Sequence, residues 1–142
     1  MNFATKQRRT IAIIDDNDDN RFIFRTYLED RHDVVEFSDG QQAIPGIKEC
    51  KPDLIFLDIS LPGLDGVEIL RRIRADDSLR QLPVVALTAH AMMGDEQRFL
   101  ALGFDHYLSK PILDLHKIYD LGKARPLDRL YVGVALEWQF CQ

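Results

Sequence analysis

From Leu54 to Arg74 the chain reads "LIFLDISLPGLDGVEILRRIR". Its first four residues are apolar without alternation, the pattern of a strand buried on both faces. Val67, Ile69, Leu70 and Ile73 then recur at helical spacing, with Arg71, Arg72 and Arg74 mostly on other faces. A strand thus runs into a helix. Similar apolar runs occur at "IAII" (11–14), "VVEF" (34–37), "PVVAL" (83–87) and "HYLS" (106–109). Phe22, Phe24, Tyr27 and Leu28 mark a helix after the first run. Phe99, Leu100 and Leu102 mark another after the fourth, ended by Gly103. Residues 41–50, "QQAIPGIKEC", should form the second helix, but Pro45-Gly46 interrupts them. A proline inside a helix costs about 3 kcal/mol, so this helix is predicted to be short, kinked or begun at Pro45. Five alternations of strand and helix predict an α/β fold with a parallel sheet and right-handed crossovers.

The bulk properties fit one globular domain. The 142 residues are 46% hydrophobic and 29% charged. A net charge of -5 argues against general nucleic-acid binding. Arg71, Arg72 and Arg74 read as a solvated helix face. Cys50 and Cys141 are far apart and in no C-x-x-C pair, which fits a reducing cytoplasm without disulfides or zinc. No segment approaches the ~18 apolar residues of a membrane span. His32, His106 and His116 show no metal spacing and read as surface or packing residues.

In a doubly wound sheet, ligands bind beyond the carboxyl ends of the strands. The first apolar run ends in Asp15-Asp16, the third in Asp58, the fourth in Thr88 and the fifth in Ser109-Lys110. Three carboxylates, a hydroxyl and an ammonium therefore converge on one rim. Crowded carboxylates repel unless a cation sits among them. A hard ion such as Mg²⁺ prefers oxygen ligands and often shares its shell with phosphate. Lys110 and Thr88 suit phosphoryl oxygens, and an aspartate can act as the nucleophile that receives the phosphoryl group. Asp18 and Asp19 belong instead to the start of the first helix, where acidic residues complement its dipole. A calcium loop counted from Asp16 fails, because Arg21 and Tyr27 stand where glycine and glutamate are required.

These residues resemble those of the receiver domains of bacterial two-component response regulators. The resemblance rests on Asp15-Asp16, Asp58 in "LIFLDISLPGLDG", Thr88 in "VVALTAHA" and Lys110-Pro111 in "YLSKP", separated by 43, 30 and 22 residues from Asp15 onward. It covers about residues 9–122. It implies a flavodoxin-like, five-stranded parallel sheet of order 2-1-3-4-5 with helices on both faces. It also implies that Asp58 accepts the phosphoryl group of a phosphohistidine. Asp16 and Asp58, the backbone carbonyl of Ser60, and Asp15 through a bound water would hold Mg²⁺, with Mn²⁺ as a substitute. Thr88 and Lys110 would hold phosphoryl oxygens, Tyr107 would be the aromatic switch, and the Lys110-Pro111 bond would be cis. Ser60 and His90 occupy positions where the family tunes the lifetime of the acyl phosphate.

The implied partners are a sensor histidine kinase or histidine phosphotransfer protein and a downstream protein target. Neither nucleic-acid contact nor membrane insertion is expected. Residues 1–124 would be the receiver and 125–142 an extension too short for an output domain. That extension, "RPLDRLYVGVALEWQFCQ" from Arg125, shows strand and helix patterns alike, and is expected to pack or dimerise. The face of helix 4, strand 5 and helix 5 is a second candidate homodimer contact. A stand-alone cytoplasmic signalling protein is expected rather than a turnover enzyme, Met1 lying only nine residues before the first strand. The rivals are a receiver fragment of a hybrid histidine kinase and a Mg²⁺-dependent aspartyl-phosphate phosphatase. The phosphatase would need a second acid two residues after Asp58, where Ser60 stands.

Overall fold

The computed structural model describes residues 8–89 and 94–110. Strand and helix alternate in the order β1 (Arg9–Ile14), α1 (Asp18–Leu28), β2 (His32–Phe37), α2 (Gly40–Cys50), β3 (Leu54–Asp58), α3 (Gly66–Ala75), β4 (Val84–Thr88), α4 (Asp95–Leu102) and β5 (His106–Ser109). All neighbouring strands pair in parallel, in the order β2-β1-β3-β4-β5. This is the doubly wound sheet expected from the sequence.

The apolar runs lack alternation because both faces of the sheet are covered. On one face Ile11, Ile13, Leu54, Phe56, Val85 and Leu87 pack with Phe24 and Leu28 of α1. On the other, Ala12, Ile14, Ile55, Leu57, Val84 and Ala86 pack with Ala43 and Ile47 of α2, Ile69, Leu70 and Ile73 of α3, and Phe99 of α4. The apolar stripes of α1 and α4 are narrower than their spacing suggested. Phe22, Tyr27, Leu100 and Leu102 are exposed. Gly103 does end α4, in a left-handed conformation at φ 112°.

The second helix departs from expectation. It starts at Gly40, five residues before Pro45, and runs 11 residues to Cys50. Asp39 caps it by accepting a hydrogen bond from the Gln42 N–H at 2.8 Å. The proline therefore neither shortens the helix nor starts it. Burial of Ala43 and Ile47 on either side of Pro45 holds the helix across the missing donor. The adjacent glycine answers to packing: a Cβ at Gly46 would lie 2.1 Å from the Phe37 ring of β2.

Arg74 is not part of a solvated face. It donates to the carbonyls of Arg80, Leu82 and Gly103 and pairs with Asp105 at 2.9 Å. The same carboxylate accepts the Val84 N–H at 2.8 Å. Arg74 thus ties the end of α3 to the starts of β4 and β5. Arg71 and Arg72 remain exposed, paired with Glu68. His32 and His106 are both buried. His90, Pro111, His116 and the extension from Arg125 to Gln142 lie outside the described residues.

Candidate functional site

The sheet register brings the polar strand ends together. Asp58 is the last residue of β3 and lies opposite Leu87, one residue before Thr88 ends β4. Thr88 in turn lies opposite Ser109, and its carbonyl accepts the Lys110 N–H at 2.7 Å. Asp15 leaves β1 with its N–H bonded to the Phe37 carbonyl of β2 at 3.1 Å. Carboxylate oxygens of Asp15, Asp16 and Asp58 all lie within 4.8 Å of one another. Asp15 and Asp58 are buried, while Asp16 faces solvent.

The Lys110 ammonium reaches into this cluster, 2.7 Å from Asp15 and 3.1 Å from Asp58. Burial works against its charge, but the two carboxylates outweigh burial and raise its pKa. The Asp58 carboxyl is also raised. Burial is the main cause and the charge of Asp15 adds to it, while the Ser60 N–H and Lys110 oppose them. The site therefore carries more negative charge than one ammonium relieves. Three oxygen donors with an exposed side suit a hard divalent cation. Thr88 is buried at the same rim. Tyr107 is half-buried and stacks on Phe99 of α4, with ring centroids 5.8 Å apart. Asp18 and Asp19 lie in the first turn of α1, outside the triad, as their reading as helix-opening residues requires.

Several supporting residues went unread in the sequence. Asp15 accepts hydrogen bonds from the Asn17 N–H at 2.9 Å and the Asn20 amide at 3.3 Å. Arg21 donates to the Asp15 carbonyl at 2.6 Å. Ser60, already singled out in the sequence for its carbonyl, also donates its N–H to Asp58 at 3.0 Å. Gly66 opens α3 so close beneath Asp58 that a Cβ would lie 2.4 Å from the Asp58 carbonyl oxygen. The Asp65-Gly66 pair was a visible signal: Asp65 caps α3, and only a residue without a side chain fits next.

Residues 11–121 match a model of the response regulator receiver domain. The chain belongs to the response regulator receiver family. It is 39% identical over 105 residues to the polar-differentiation response regulator DivK of Brucella anthropi, covering 73% of this chain and 85% of that one. Among solved structures it resembles the receiver domain of the sensor histidine kinase PA1611 of Pseudomonas aeruginosa, which has a magnesium ion coordinated in its active-site cleft. Identity there is 31% and the TM-score 0.74, covering 84% of this chain and 98% of that one. The chemotaxis protein CheY4 of Vibrio cholerae shares the receiver fold at a TM-score of 0.73 and 22% identity, covering 80% of this chain and 94% of that one.

Proposed function

We propose that this receiver takes a phosphoryl group from a phosphohistidine donor onto Asp58 and signals through protein contacts. The carrying observation is the buried Asp58 carboxylate within reach of both an acidic pair and the Lys110 ammonium. An Asp58 oxygen attacks phosphorus and the P–N bond breaks. The bonding pair returns to the imidazole nitrogen, which takes up a proton. Lys110 and Thr88 then hold the phosphoryl oxygens. Asp15, Asp16, Asp58 and the Ser60 carbonyl would hold Mg²⁺, which supplies the charge neutralisation that phosphoryl transfer needs.

Lys110 gives up part of its pairing with Asp58 when it turns to the phosphoryl group. Thr88 moves with it, and Tyr107 follows through its packing on Phe99 of α4. The readout is a shift between two states of the rim around β4, α4 and β5. The donor is a sensor histidine kinase or phosphotransfer protein, and the recipient a protein target. Ser60 tunes water access to the acyl phosphate. This is a signalling switch, with self-dephosphorylation its only turnover, and we place it in the cytoplasm. None of the described helices is long and apolar enough to cross a membrane. A second reading, a receiver belonging to a hybrid kinase, draws on the 31% identity to the PA1611 domain.

Incubation with acetyl phosphate and Mg²⁺ tests the proposal. An adduct of about 80 Da, one phosphoryl group, is expected in the intact mass spectrum. It should be stable in acid, labile in base and absent from Asp58→Asn. An adduct that persists in Asp58→Asn would overturn the assignment.

A further inference from the structure

The peptide between Asp15 and Asp16 joins two of the three carboxylates of the triad. Any rotation of its plane moves both relative to Asp58. Strand pairing does not fix that plane, because β1 ends at Ile14 and only the Asp15 N–H is held by β2. The carbonyl of this peptide is held by a side chain, the Arg21 guanidinium, at 2.6 Å. Arg21 is largely buried, its side chain 14% exposed. Its Nε meets Glu36 of β2 at 3.3 Å, and another nitrogen pairs with Asp18 in the first turn of α1. Two elements, α1 and β2, therefore fix one planar fork, and the fork fixes one peptide plane.

We propose that Arg21 is a positioning residue for cation binding, setting Asp15 and Asp16 by clamping the peptide between them. The proposal rests on the reading of the triad as a metal site given above. Among the described residues Arg21 meets the Asp15 carbonyl, Asp18 and Glu36 rather than a triad carboxylate or the Lys110 ammonium, so it acts through the backbone. Two effects of this guanidinium have opposite signs. As a nearby positive charge it opposes a bound cation, so its loss would tighten binding. As a clamp it pre-sets the ligands, so its loss weakens binding. Lysine separates the two, keeping the charge and losing the fork.

Titration of the full chain with Mn²⁺, following free Mn²⁺ by electron paramagnetic resonance, reads the affinity directly. The unmodified chain should bind one Mn²⁺, and Asp58→Asn should lose it. Arg21→Lys should bind about tenfold more weakly, the scale of an outer-shell metal effect. Arg25→Lys shares the contact to Glu36 but not the one to Asp15, and should leave affinity unchanged. Cooperative melting of each variant shows that it is folded. Unchanged or tighter binding by folded Arg21→Lys would overturn the clamp while leaving the metal site intact. If Arg21→Lys does not fold, Glu36→Asp keeps the charge and withdraws the anchor of Nε: weaker binding supports the clamp and unchanged affinity overturns it. Absence of Mn²⁺ binding in the unmodified chain would overturn the metal reading and the clamp together.

Discussion

At the residue scale, the site holds a buried charge that costs stability. Asp58 is buried beside another carboxylate, and its pKa is raised above 3.8. A carboxyl with a raised folded-state pKa holds its proton more tightly folded than unfolded. Its ionisation therefore destabilises the fold, by an amount that grows as pH rises from its unfolded pKa through its folded one. Asp58→Asn should raise the melting temperature at pH 7 without divalent ions, by about 3 °C. The gain should fade as pH drops toward 4. A gain that stays constant with pH would show that ionisation is not its cause. Lys110 would keep its 2.7 Å pairing with Asp15 in that variant. The candidate site residues were legible because each ends an apolar run: Asp15, Asp58, Thr88 and Lys110. Arg21 and Asn20 were not, because a polar residue on a helix surface carries no pattern that tells a clamp from a solvated side chain.

At the element scale, packing overrode local propensity. Pro45 and Gly46 look like breakers, yet α2 spans both, and the glycine is the place where Phe37 sits against the helix. Periodicity found the apolar stripes but did not tell exposed Phe22 from buried Phe24. Two elements yield opposing predictions. Gly66→Ala forces a methyl group onto the backbone carbonyl of Asp58, at 2.4 Å before relaxation. It should cost about 1–3 kcal/mol in denaturant unfolding and also slow phosphorylation, since the strand end must shift. Arg74→Ala removes hydrogen bonds to Leu82, Gly103 and Asp105 at the other end of the sheet, beside the starts of β4 and β5. It should cost about 2 kcal/mol in the same assay and leave the phosphorylation rate unchanged. Equal kinetic effects from both would mean that global stability, not the position of Asp58, controls the rate.

At the scale of the whole molecule, sequence order and spatial order are linked through the crossovers. Residues 43 apart in sequence, Asp15 and Asp58, are neighbours because β1 and β3 are neighbours in the sheet. The doubly wound architecture was legible because β1, β3 and β4 each repeat one pattern, a buried strand followed by an amphipathic helix. A cation that binds only the folded rim must stabilise the fold by mass action. Saturating Mg²⁺ should raise the melting temperature of the unmodified chain, by an increment that excess EDTA reverses and that Asp16→Asn abolishes. The central claim is that this fold delivers a phosphoryl group to Asp58. Borohydride reduction after incubation with acetyl phosphate and Mg²⁺ converts an aspartyl phosphate to homoserine, and peptide sequencing locates it. Homoserine at position 58 is the predicted result. Homoserine at 15 or 16, or none anywhere in a folded, Mg²⁺-binding chain, would contradict it.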